Sequence, residues 1–288
     1  MRLALFLISA VFASNLSFGS DVDAPFAYDK SAPFDLHEIA STQRGAATVR
    51  DFTFAGAKTP VQACLVTPAT PGPHAAILYV HWLGEPATTN HTEFLEEAIA
   101  LADRGVVSLL VDAMWAAPKW YENRVPEEDY DRSVQQVIEL RRAMDLLVNQ
   151  PGVDPQHLAL VGHDFGAMYG MIASAQDPRA RTFVFMAGVP RLVDWFLFAR
   201  QPQDLPAYRR QLAPLDPVNF IGRLAPASIF FQFAQKDEYV SPAQAAECYA
   251  AALPRKQMAH YEGGHDLHSP AVSADRIAWL ERELELKR

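Results

Sequence analysis

The run Leu158-Ala159-Leu160-Val161-Gly162-His163-Asp164-Phe165-Gly166-Ala167 constrains this chain more than any other. Its apolar start reads as a short strand buried on both faces. Gly162 and Gly166 then bracket Asp164 in the pattern Gly-x-nucleophile-x-Gly, and a helical pattern begins at once. A strand that turns straight into a helix at such a sequence makes a nucleophile elbow, which lifts one side chain above the sheet edge. The glycines answer a cramped backbone, where a Cβ at either flank would clash. The raised position holds Asp where the commoner pattern has Ser. An ordinary glycine-rich turn would carry the same residues, so the motif needs partners downstream, in the order nucleophile, acid, His.

The rest of the chain alternates strand and helix patterns. Residues 48–54 and 61–67 fit neighbouring strands, and residues 75–81 and 106–111 are strongly apolar strands. Residues 91–104 carry apolar side chains at helical spacing and stop at Gly105. Residues 131–148 repeat Val134, Val137, Ile138, Leu140, Ala143 and Leu146 along one helix face. Gly152-Val153-Asp154-Pro155 reads as a turn ahead of the elbow strand. Further strands fall at 183–186, 229–233 and 257–261, and further helices at 165–175, 241–253 and 271–286. This alternation implies an α/β fold, a mostly parallel, doubly wound sheet flanked by helices. One domain over residues 48–288 takes up all of it. Residues 21–47 read as an extended N-terminal arm, and the aromatic, proline-containing stretch 189–226 as a small helical cap.

Residues 1–20 differ in kind. Arg2, an apolar run over residues 3–13, and small residues around Gly19 and Ser20 make a secretory signal peptide. The run is short for a bilayer span, so export to the periplasm or beyond is expected, without stable membrane insertion. The formal net charge is −9 and no Lys/Arg cluster offsets it, which argues against a nucleic-acid partner and leaves a small-molecule substrate. The sequence leaves the oligomeric state open. Cys64 sits in an early strand and Cys248 in a late helix, towards opposite edges of the expected sheet; both read as buried small hydrophobes. The chain has no phosphate-loop Lys-Ser/Thr, no dinucleotide fingerprint and no third ligand beside His265 and His268. No cofactor and no metal are therefore expected.

Two segments fall where the elbow requires them. Asp237, in Ala234-Gln235-Lys236-Asp237-Glu238-Tyr239-Val240, follows directly on a strong strand. His265, in Glu262-Gly263-Gly264-His265-Asp266, lies between the last strand and the last helix. The residues alone leave Glu238 competing with Asp237, and His268 with His265. With these segments the chain resembles the α/β-hydrolase superfamily over nearly all its mature length, and most closely its dienelactone-hydrolase-like branch. There an elbow, an Asp before a valine-containing turn and a Gly-Gly-His-like stretch are similarly spaced. The resemblance implies Asp237 as the acid and His265 as the base of a set headed by Asp164. It also implies an oxyanion hole made by the backbone N–H groups of Leu83, in His81-Trp82-Leu83-Gly84, and of Phe165. Trp82 stands where that superfamily often has Gly. His81 and His163 read as structural histidines.

Asp at the elbow changes the chemistry. A carboxylate attacking an ester would form an anhydride and expel an alkoxide, which is uphill. Attack on a saturated carbon bearing a halide or an epoxide oxygen gives a stable alkyl ester instead. A neutral His265 oriented by Asp237 would then activate the water that hydrolyses this ester. In the superfamily such an Asp is similar to that of haloalkane dehalogenases and epoxide hydrolases. Those enzymes often have Trp where this chain has Phe165, and usually a larger cap. Three readings follow: a hydrolase with a covalent Asp164 intermediate, a dienelactone-hydrolase-like esterase with an altered nucleophile, and a non-catalytic binding protein that keeps the fold.

Overall fold

The computed structural model describes residues 24–84, 90–198 and 200–286, so the expected signal peptide lies outside the described residues. A hairpin of β1 (His37–Arg44) and β2 (Ala47–Ala55) leads to β3 (Pro60–Pro68) and β4 (His74–Val80). Then come α1 (Leu95–Ala102), β5 (Val106–Val111), the short α2 (Trp120–Asn123), the long α3 (Asp129–Val148) and β6 (Val153–His163). The chain continues through α4 (Phe165–Ala175) and β7 (Thr182–Met186) into three short helices, α5 (Val193–Phe196), α6 (Leu205–Leu212) and α7 (Val218–Ile221). It closes with β8 (Ser228–Ala234), α8 (Pro242–Ala251), β9 (Lys256–Tyr261) and α9 (Pro270–Glu283).

The strands form one nine-stranded sheet in the order β1-β2-β3-β5-β4-β6-β7-β8-β9. The flank from β1 to the β3–β5 pair is antiparallel, and every pair from β5–β4 to β8–β9 is parallel. All residues of β4, β5, β7 and β8 are buried, as continuous apolar runs require when helices cover both faces of a parallel sheet. In β2, Ala47, Val49, Phe52 and Phe54 are buried between half-buried neighbours. The parallel strands all end at one edge of the sheet, where open α/β sheets gather their functional loops.

Several boundaries differ from the sequence reading. Part of the expected arm is strand β1, which is exposed along its whole length and paired to β2 through main-chain bonds. The elbow strand begins at Val153, inside the expected turn, because that residue pairs with His74 before a register shift. The first helix begins at Leu95 and not at His91. The Asn90 side chain accepts from the Thr92 N–H and hydroxyl, and His91 is tied to Asp112 by its N–H and ring. Both cysteines are free and buried, and burial pushes each thiol up to about 12. Among the described residues no helix is long and apolar enough to cross a membrane.

The cap region is small and clamped. The Arg124 side chain is fully buried, pairs with Asp129 and donates to the Phe196 carbonyl, while the Tyr208 hydroxyl donates to the same Asp129 carboxylate. These bonds hold α5 and α6 against the start of α3. Trp195 and Phe196 of α5 are thereby set over the edge of the sheet.

Candidate active site

The elbow follows from two close approaches. A Cβ on Gly162 would lie 2.4 Å from the Gly166 carbonyl oxygen, and one on Gly166 would lie 2.3 Å from that of Val80. Neither backbone neighbour can yield, so only glycine fits. Between them Asp164 is held at φ 58° and ψ −120°, a conformation that side-chain-bearing residues rarely adopt. Its N–H donates to the Met186 carbonyl at 2.8 Å and its own carbonyl accepts from Met168 at 3.1 Å. Those bonds offset the strain by locking the turn between β7 and α4.

His265 and Asp237 meet this side chain from the next strands. The loop after β9 places the His265 Nε2 3.6 Å from Asp164 Oδ1. The loop after β8 places both oxygens of Asp237 3.0 Å from His265 Nδ1. Asp237 is fixed by the N–H groups of Tyr239 and Val240, each donating to Oδ1 at 2.9 Å. Of the two competing pairs, it is Asp237 and His265 that lie beside Asp164. Glu238 is exposed at the rim, and His268 is 60% exposed and faces Asp266.

The loop after β4 meets the same carboxylate. The Leu83 N–H donates to Asp164 Oδ2 at 2.7 Å. Phe165 is the first residue of α4, so its N–H has no acceptor within the helix. The two Asp164 oxygens therefore differ: Oδ2 rests on a backbone donor and Oδ1 faces His265.

His81 ties the loop down. Its Nδ1–H donates to the Trp82 carbonyl at 2.7 Å and its Nε2 accepts from the Ala113 N–H at 3.1 Å. That pattern requires the neutral ring, and burial pushes its pKa down accordingly. His163 lies under the Trp82 indole, with ring centroids 5.3 Å apart, and its Nε2 donates to the His265 carbonyl at 3.1 Å.

Glu93 went unnoticed in the sequence. One oxygen accepts from the Trp82 N–H at 2.8 Å and the other lies 2.7 Å from His163 Nδ1. Its side chain is 4% exposed. One carboxylate thus joins the loop after β4 to the elbow. Nothing in the local sequence marks it, because the groups it joins are distant in the chain. Glu93→Ala strands a buried N–H and a buried imidazole, at about 1–3 kcal/mol for each unsatisfied group. Turnover is expected to fall about 10²-fold through lost positioning, mainly in kcat, and Glu93→Gln to recover part of it because its amide oxygen still accepts from Trp82. Steady-state kinetics on both variants, beside their melting temperatures, check this. Equal kcat losses in the two variants would refute the positioning role.

A cavity of about 410 Å³ opens above Asp164. Its walls are mostly aromatic, with Trp82, Tyr121, Phe165, Trp195, Phe198 and Tyr239 contributing. His265 stands edge-on to Trp195 and Tyr239, with centroids 5.7 and 5.0 Å away. Burial disfavours a charged His265, yet hydrogen bonds and charge from Asp164 and Asp237 outweigh it and raise its pKa to about 9. Burial likewise opposes the Asp237 charge, but the bond to His265 and the two backbone donors hold its pKa below the usual carboxylate range. In the free site the imidazole thus lies between two carboxyl groups that favour its charged form. Among the described residues no group of three His, Cys, Asp or Glu side chains is placed to hold a metal ion.

No family model and no curated protein sequence matches this chain. Solved structures do match it. Acetyl xylan esterase 1 from Thermoanaerobacterium sp. JW/SL YS485 superimposes with a TM-score of 0.74 at 16% identity, over 91% of this chain and 92% of that one. The acetyl xylan esterase from Paenibacillus sp. R4 gives 0.72 at 17%, over 91% and 92%. The 2,6-dihydroxy-pseudo-oxynicotine hydrolase gives 0.60 at 17%, over 88% of this chain and 69% of that one. The chain has the α/β-hydrolase fold, with Asp164, the His265–Asp237 pair and the Leu83 N–H gathered where the parallel strands end.

Proposed function

We propose that this protein is an exported hydrolase that uses Asp164 as a covalent nucleophile on a small organic substrate with an electrophilic saturated carbon, an epoxide or a halide. The observation that carries this reading is the unequal setting of the two Asp164 oxygens. Oδ2, on the Leu83 N–H at 2.7 Å, becomes the carbonyl oxygen of an ester. Oδ1 is the attacking atom, turned towards the cavity and His265. Attack forms the Oδ1–carbon bond and breaks the carbon–halogen or carbon–oxygen bond, whose electron pair leaves with the departing atom. Water then adds to the ester carbon while neutral His265 takes its proton. The negative charge that develops on Oδ2 falls on the Leu83 and Phe165 N–H groups. Collapse expels the alcohol, which takes the proton from His265, and the acid left at Asp164 passes its own proton to His265 (or to solvent), which restores the carboxylate.

The proton inventory favours an epoxide. His265 begins as an imidazolium, so it can protonate the alkoxide released by ring opening. That step also leaves it neutral, as the second step needs. A halide leaving as an anion provides no such step, and the imidazolium must first lose its proton to solvent.

Ester hydrolysis is the second reading, and the two acetyl xylan esterase neighbours favour it. In that case Asp164 acts on water rather than on the substrate. A non-catalytic role would give no reason for His265 and Asp237 to converge on Asp164. Export rests on the sequence of residues 1–20 alone.

The test is a trap. In His265→Gln a haloalkane still forms the ester, and its hydrolysis slows by about 10²–10⁴-fold, the usual worth of a general base. Incubated with a pool of haloalkanes, this variant is expected to gain the mass of one alkyl group, mapped to Asp164; for epoxides, which also need the His265 proton, the unaltered protein is quenched in acid during turnover and is expected to carry one added epoxide at Asp164. An unmodified Asp164, with ester turnover by the unaltered protein, would sink the covalent reading.

A further inference from the structure

We infer that the substrate carries an organic cation, an ammonium or quaternary ammonium group, received by the aromatic rim of the cavity and Glu238. The inference rests on reading this cavity as the substrate site. It adds a substrate class that neither the elbow nor the triad implies.

The wall above Asp164 is lined by aromatic rings, whose faces are negative and attract cations. Such a wall also accepts a neutral apolar group, so charge must decide between the two. Neither Lys nor Arg lines the cavity among the described residues. Its one cation, His265, already lies between Asp164 and Asp237. Glu238 is left over: it lines the cavity, is exposed and forms no ion pair among the described residues. Beside it stands Tyr239, 47% exposed, with Phe198, 60% exposed, only 6.2 Å away between ring centroids. Large aromatic rings exposed at a cavity mouth next to a carboxylate are poorly explained by packing, since they bury little. They are well placed to take up a bulky, weakly hydrated cation. The same arrangement works against anionic substrates, because Asp164 and Glu238 line the cavity and Asp237 lies behind His265.

The geometry also orders the substrate. Glu238 and the exposed rings are at the mouth, and Asp164, 5% exposed, is at the floor. The cationic group therefore sits outward and the electrophilic carbon inward.

Binding tests this without any chemistry at Asp164. Phenyltrimethylammonium and its neutral isostere tert-butylbenzene would be titrated into the full protein, read by intrinsic tryptophan fluorescence, with Trp82 and Trp195 in the wall. The cation is expected to bind at least about 10-fold more tightly than the isostere, within the range of cation–π and rim charge effects. Glu238→Gln is expected to lose most of that ratio while leaving the affinity for tert-butylbenzene unchanged. Tyr239→Leu is expected to lower the ratio as well. Equal affinities, binding of neither ligand, or a ratio untouched by Glu238→Gln overturns the inference. An unlabelled Asp164 together with a clear cation preference would sink the covalent mechanism and leave this inference standing. Labelling by neutral epoxides without that preference would do the reverse.

Discussion

Asp164→Ser is expected to abolish turnover of epoxides or haloalkanes and to create hydrolysis of short esters. The two reactions need the same surroundings displaced by one bond. A serine Oγ would stand near the present Cγ, bonded to the same Cβ and held by the same strained backbone. The space now filled by Oδ2, 2.7 Å from the Leu83 N–H, would then receive the carbonyl oxygen of a bound ester. The donors that serve the second half of the proposed reaction would serve both halves of an acyl transfer. His265 changes in the helpful direction. Without the Asp164 charge it loses one of the two carboxylates that raise its pKa to about 9. It would be neutral at mildly alkaline pH and able to take the serine proton, with Asp237 still on Nδ1. A neutral hydroxyl without an attacking carboxylate cannot displace a halide or open an epoxide at a useful rate, so the original activity should fall below detection. Steady-state rates with an epoxide series and with p-nitrophenyl acetate on both proteins decide the matter. Ester hydrolysis by the unaltered protein at or above the rate of the variant would favour the esterase reading.

Sequence legibility tracked how local each constraint is. The elbow could be read because strand, glycines, nucleophile and helix are contiguous, and the glycines answer to clashes of 2.3–2.4 Å within that unit. Asp237 and His265 could be read because each follows a strand directly and the fold imposes their order. The parallel strands announced themselves as unbroken apolar runs. β1 did not, because all its side chains are exposed and its pairing with β2 is a main-chain matter. Glu93 was invisible for a different reason. Its role joins Trp82 and His163, which only the fold brings together. The cavity wall was partly hidden too. Trp115, Trp120, Tyr121, Trp195 and Tyr208 are alike in the sequence as aromatic residues, but of these Tyr121 and Trp195 line the cavity. Trp115 packs on Tyr169 with centroids 5.4 Å apart, and Tyr208 bonds Asp129.

The two halves of the proposed reaction should respond to pH in opposite ways, and Asp237 sets where. Ester formation needs ionised Asp164 and, for an epoxide, protonated His265. Against burial, Asp164 and Asp237 raise the His265 pKa of the free site to about 9, so the second condition holds across the neutral range. Ester hydrolysis needs neutral His265. Esterification removes the Asp164 charge, so the imidazole pKa in the intermediate drops below its free-site value while Asp237 still supports it. Lowering the pH through that pKa should slow hydrolysis about tenfold per unit and leave ester formation unchanged. The alkyl-enzyme therefore accumulates in acid, visible as a growing product burst for a halide and as rising modified mass for either substrate. In Asp237→Asn the remaining support is gone, so the rising limb of turnover moves to lower pH. Its plateau falls by up to about 10⁴-fold, the scale seen when serine hydrolases lose the carboxylate that fixes the histidine tautomer. Stability follows the same group with a definite sign. A histidine pKa raised from 6.5 to about 9 by folding adds stability that is fully present below 6.5 and is lost as pH rises through 9. The melting temperature should accordingly fall between pH 7 and 9.5, and Asp237→Asn should flatten that fall. Modified mass that grows with pH, or a turnover limb unmoved by Asp237→Asn, would refute a histidine held charged between Asp164 and Asp237.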